Sequence, residues 1–186
     1  MSSETKDPQD PTEGGVIINP LEIVSSDGEV SLRRYAPQDA EAAFDLIDNN
    51  REHLSQFGED TPAKYPTLES LRESILHPRN PNRFRFGLRN RAGILVGTIN
   101  LTPDESDPQK GEIGYYLGAQ FQGHGYMSRA VEAITDYAFK NLGYTSLFGS
   151  VAPENTDSIR VLEKNAYTRS GVGPKGKVIL AKVKHA

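Results

Sequence analysis

Across residues 112 to 139 (EIGYYLGAQFQGHGYMSRAVEAITDYAF) the apolar period changes from that of a strand to that of a helix, over a turn carrying Gly118, Gly123 and Gly125. Before the turn, EIGYYLG reads as a strand on which Tyr115 and Tyr116 take opposite faces, so only one is expected to face a cleft there while the other packs. After it, Met127, Ala130, Val131, Ile134 and Ala138 recur at the spacing of an amphipathic helix that Gly143 would end. Small residues let a ligand approach the backbone, and the first N–H groups of a helix have no intrahelical partner. The junction is therefore an anion site by geometry, with phosphate its natural guest. No lysine follows the glycines, which argues against the triphosphate loop G-x-x-x-x-G-K-[ST] and for a pyrophosphate that is held and left unbroken.

The flanking segments build an α+β (mixed α/β) domain. A polar tail over residues 1–28 precedes a strand at EVSLRRY, and a helix opened by Pro37 carries Ala43, Leu46, Ile47, Asn50 and Leu54, with Asp39 and Glu41 in its first turn. Residues 57–66 read as a loop, and a second helix runs from a Thr67 cap to Pro78 with Leu68, Leu71 and Ile75 in one stripe. From Arg83, Phe84, Phe86 and Leu88 alternate with arginines, which predicts one buried and one solvated face. ILVGTINL and EIGYYLG follow as strands of an antiparallel meander. TSLFGSV, a short helix capped by Asn155 with Ile159 and Leu162 inward, and two closing strands complete a domain over residues 29–186. GVGPKGKV contains G-x-G-x-x-G, but Val178 replaces the magnesium hydroxyl, Pro174 interrupts the loop and an alternating strand follows, so it reads as a hairpin turn.

Composition narrows the chemistry. A net charge of -4 with interspersed signs provides no basic field for nucleic acid. The chain has no cysteine, and its four histidines are scattered, so neither a metal centre nor a thiol nucleophile is expected. The tail lacks a signal-peptide pattern and no apolar run approaches membrane-spanning length, which predicts a soluble cytoplasmic protein with no membrane partner.

Gln120-Phe121-Gln122-Gly123-His124-Gly125 fits Q/R-x-x-G-x-G/A and resembles the coenzyme A pyrophosphate loop of the GNAT superfamily of acyl-CoA N-acyltransferases. EIGYYLG is similar to that family's splayed strand, NTDSIRVLEKNAY to its N-x-x-S-x-x-x-L-E-K-x-G-[FY] helix, and NREHLSQF to a stretch typical of the RimJ and RimL branch. The likeness covers about residues 29 to 184, with two departures. Ala166 stands where the family usually has glycine, so Asn165 is expected to take the left-handed helix-ending conformation, and Phe57 replaces a tryptophan.

The resemblance implies acetyl-CoA as co-substrate, with no metal, and an acceptor amine that is a protein N-terminus or a small cationic amine. It implies coenzyme contacts from Tyr116, Leu117, Gln120, Gln122, Gly123, His124, Gly125, Tyr126, Met127, Ser128, Asn155 and Lys164. Glu112 would draw a proton from the amine through water, and Ser158 would lie near the coenzyme sulfur. An α-amine, with a pKa of about 7.7 to 8.0 against about 10.4 for lysine, asks less of such a base. Glu112 as an exposed strand-end residue and Ser158 as a helix-start serine remain the alternatives, and His124 reads as a surface residue of the loop. The acidic loop from Asp104 to Asp107, with Glu59 and Asp60, would attract a cationic acceptor if it rims the mouth, and is otherwise a solvated loop. A non-catalytic acyl-CoA-binding module stays open as a second class, and a homodimer as an oligomeric option.

Overall fold

In the computed structural model, which describes residues 22–58 and 60–185, eight strands form one sheet in the order β1-β2-β3-β4-β5-β6-β8-β7. β1 (Glu22–Val24), β2 (Val30–Arg34), β3 (Phe84–Asn90), β4 (Leu95–Pro103) and β5 (Lys110–Leu117) pair antiparallel in turn. β6 (Ser146–Val151) pairs parallel with β5, and β8 (Val178–Val183) runs antiparallel to both β6 and β7 (Thr168–Val172). Between β2 and β3 lie α1 (Ala40–Asp48), α2 (Arg51–Leu54), α3 (Thr61–Lys64) and α4 (Leu68–Leu76); α5 (Tyr126–Asn141) and α6 (Thr156–Lys164) flank β6. This is the mixed α+β architecture that the residue patterns predict, and no helix among the described residues is long and apolar enough to cross a membrane.

Two apolar layers hold the sheet. On one face, Met127, Ala130, Val131, Ile134 and Ala138 of α5 pack with Leu32, Phe86, Leu88, Ile99 and Leu101. On the other, Ala43, Leu46 and Ile47 of α1, Leu54 and Leu71 pack with Leu95. β4 is consequently buried without a break from Leu95 through Leu101. The same double cover changes β3, whose arginine face is not solvated as its alternation suggests. Arg89 donates to Asp39, only 5% exposed, at 2.6 Å, with Arg33 at 3.2 Å from the same oxygen, and Arg85 is half-buried. Alternation marks two faces but not what covers the polar one.

Four local expectations are revised. β1 lies within the stretch expected to be tail, because Ile23 is buried and pairs with Leu32; residues 1–21 fall outside the described part. The helix from Pro37 breaks after α1, where Asn50 turns to Nδ2 donation to the Leu46 carbonyl and accepts the Ala119 N–H, both at 2.8 Å. The expected loop of residues 57–66 contains α3. Finally, Ala166 itself takes the left-handed conformation (φ 60), while Asn165 does not (φ -94), because its side-chain Nδ2 donates to the carbonyls of Ser128 and Val161.

Candidate active site

β5 and β6 pair only over Lys110–Glu112 and Ser146–Phe148, although β5 continues to Leu117 and β6 to Val151. Beyond Glu112 the strands part. A cavity of about 890 Å³ lies there, lined on one side by the glycine loop, the start of α5 and α6, and on the other by residues from α2 through β4.

The loop has the form its sequence implies. Gly123 (φ 79) and Gly125 (φ 74) are left-handed, and Gly125 occupies the N-cap of α5 with no side-chain cap bond. The N–H groups of the first helical turn are thus not taken up by a capping side chain, and Tyr126, Met127 and Ser128 line the cavity with Gly123, Gly125 and Gln122. A side chain on Gly123 would enter open space, with nothing within 4 Å of its Cβ. The strand splay and the backbone cradle fit an extended pyrophosphate-bearing coenzyme. Two expected contacts turn elsewhere. His124 lies outside the lining, its ring held by the Gln122 carbonyl at 2.8 Å and stacked on Tyr126, and Gln120 folds back toward Gly118. The loop is braced from behind: Arg129 joins Asp27 of the β1–β2 turn at 2.6 Å and donates to the His124 carbonyl at 3.1 Å. This strut pulls the Asp27 carboxyl down to about 2, chiefly through the Arg129 hydrogen bond.

α6 supplies the next wall. Asn155 accepts the Ser158 N–H at 3.1 Å, the expected cap, and Asn155, Ser158 and Lys164 all line the cavity. Tyr115 spans the splay by donating its hydroxyl to the Ser158 carbonyl at 2.9 Å. Tyr115 and Tyr116 both reach the cavity lining, one from each face, because the parted strands open both sides of β5. Burial raises both phenol pKa values, so each hydroxyl is a hydrogen-bond donor or acceptor rather than a base.

Glu112 holds the last paired position before the splay, on the same strand face as Gly114 and Tyr116, yet it is not among the lining residues. Gly114, two residues on, is; at about 3.3 Å per residue the separation is about 7 Å, the span of a water-mediated contact. The acidic loop does not reach the cavity, since Asp104 is spent on the Ser106 and Asp107 N–H groups, and Asp60, which does, is bound to Lys64 at 2.8 Å. Local spacing had no means of selecting the opposite wall: His53, Tyr65, Arg83, Arg85, Thr98 and Asn100. Phe57, in that wall, adopts φ 61, uncommon for an aromatic residue and invisible in composition.

Residues 29–168 match the family model described as an acetyltransferase (GNAT) domain. The chain is 32% identical over 152 residues to a Bacillus subtilis protein named "Probable N-acetyltransferase YjcK", covering 78% of this chain and 84% of that one. It is 24% identical over 125 residues to a spermidine N(1)-acetyltransferase of Vibrio cholerae, covering 67% and 71%. Its fold is similar to a structure of RimL, a ribosomal L7/L12 alpha-N-protein acetyltransferase, in complex with coenzyme A: TM-score 0.77 at 21% identity, covering 88% and 98%.

Proposed function

The chain belongs to the GNAT acetyltransferase family and is an N-acetyltransferase, and on that footing we propose that it moves the acetyl group of acetyl-CoA directly onto a protein N-terminal α-amine. The observation that carries the acceptor choice is the charge of the wall opposite the coenzyme loop. Lys64, Arg83 and Arg85 stand there against Asp60, which Lys64 already neutralises. A polyamine needs carboxylates to replace its water; an α-amine on an otherwise uncharged or acidic chain does not. The ribosomal-protein N-terminal activity named for RimL is of the same type.

When bound, the coenzyme supplies an activated acetyl thioester and a thiol leaving group. The first turn of α5 holds its pyrophosphate, helped by Lys164, and the backbone at Tyr116 and Leu117 orients the carbonyl. Glu112 receives the amine proton through water, and the Ser158 hydroxyl hydrogen-bonds the departing sulfur. Much of the rate arises from holding amine and carbonyl together.

The test is acetyl-CoA binding by calorimetry, followed by free-thiol release against N-terminal peptides, polyamines and aminoglycosides. Release dependent on peptides supports the reading. Release with polyamines alone replaces the acceptor, and coenzyme binding without release from any acceptor returns the chain to a binding module.

A further inference from the structure

The middle of the sheet carries a polar row that reaches the cavity. Arg85 of β3 is the cross-strand neighbour of Asn100 of β4, which is in turn the neighbour of Gly114 of β5, and all three line the cavity. A Cβ on Gly114 would meet nothing within 4 Å, so the strand is open to an incoming group there.

Arg85 is half-buried, with its guanidinium 5.2 Å from the Tyr35 ring centre and 5.1 Å from that of Tyr65, and it donates to Ser74 Oγ at 3.0 Å. Other partly covered arginines have a carboxylate partner: Arg33 and Arg89 share Asp39, Arg51 pairs with Asp48 and Arg129 with Asp27. Among the described residues no carboxylate is within ion-pair distance of Arg85, a fixed, partly desolvated cation facing a cavity. Asn100 is 7% exposed, and its Oδ1 is the buried side-chain atom that lacks a hydrogen-bond partner among the described residues. An unpaired buried acceptor is costly, and the last torsion of an asparagine is soft, so turning that oxygen toward a donor in the cavity is favourable.

We propose that Arg85 and Asn100 form the acceptor subsite, which takes an amine carrying a carboxylate close to its nitrogen. The carboxylate pairs with Arg85, and an amine N–H is donated to Asn100 Oδ1 above Gly114. This rests on the acetyl-transfer reading and sharpens it: the preferred acceptor is the α-amine of a chain that begins with acidic residues, or a free acidic amino acid.

The protein is saturated with coenzyme A, which has no acetyl group to give, and titrated by calorimetry with three probes. These are a hexapeptide with glutamates at its first and second positions, its glutamine counterpart, and glutamate itself. The acidic peptide is expected to bind about tenfold tighter than the glutamine peptide, with the difference lost in Arg85→Gln while coenzyme affinity holds. Binding of glutamate at equal strength assigns the subsite to free amino acids, and weaker binding assigns it to peptides; both keep the carboxylate chemistry. Equal binding of the two peptides, a preference that survives Arg85→Gln, or no binding of any probe overturns the proposal. Asn100→Leu removes an unpaired buried oxygen, so it is expected to keep or raise the melting temperature while weakening the acidic peptide about fivefold or more. Unaltered peptide binding removes Asn100 from the subsite. Charge-selective binding without transfer from acetyl-CoA leaves the subsite standing and defeats the acetyl-transfer reading instead.

Discussion

One side of the cavity is lined by the short run from Gln122 to Ser128, His124 excepted, together with α6, and the run offers backbone N–H groups at a helix start. The opposite side gathers side chains from α2, α3, β3 and β4, such as His53, Lys64, Arg85 and Asn100, none of which is adjacent to another in sequence. A backbone site needs only the conformation of its loop, so it tolerates side-chain change except where φ is positive. A side-chain site depends on packing between distant segments, and can be retuned one residue at a time without disturbing the fold.

That division is open to direct attack. The largest effect is expected for Glu112→Gln: loss of a general base lowers kcat by about 100-fold or more and changes the shape of the pH–rate profile, with acetyl-CoA affinity intact. Equal activity and an unaltered profile would return Glu112 to a strand-end role. Gly123→Val comes next. A β-branched residue at φ 79 is strained by about 1 to 2 kcal/mol, so acetyl-CoA should bind about tenfold weaker by calorimetry, while the ranking of acceptors is unchanged. A changed ranking would show that the two sides are not separable. Asn155→Ala removes the α6 cap and should cost about 1 kcal/mol in denaturant unfolding, with a modest loss of coenzyme affinity.

The smallest effect is expected for Asp27→Asn, which cuts the strut behind the loop. The folded-state carboxyl is depressed from 3.8 to about 2, so its stabilising contribution is complete above the unfolded value and is lost as pH falls through about 2. The melting temperatures of the parent and Asp27→Asn should therefore differ at pH 6 and converge between pH 4 and 2. A constant gap would mean that the carboxylate charge is not what braces the loop.

How far the residues foretold this depends on the range of the forces involved. The stripe on α5, the Asn155 cap and the hairpin at Gly171–Val178 arise from interactions within a few residues, and they stand where local patterns put them. The break at Asn50 does not, because the group that favours it is the Ala119 N–H, 69 residues away. Ala166 rather than Asn165 is left-handed for a similar reason: the asparagine side chain is held by the Ser128 carbonyl, 37 residues back. The arginines of β3 were legible as a polar face, but their fates diverge with what packs above them, Asp39 over Arg89 and two tyrosines about Arg85.

By itself the sequence determined the α+β class, the family and the glycine turn that opens α5, since periodicity, caps and glycine conformation act through neighbouring residues. Tertiary structure alone decided which side chains line the cavity wall opposite the glycine loop, and that among the described residues Arg85 has no carboxylate partner and Asn100 is buried with an unpaired oxygen. Burial and charge pairing are properties of segments brought together from far apart in the chain, and no local pattern encodes which will meet.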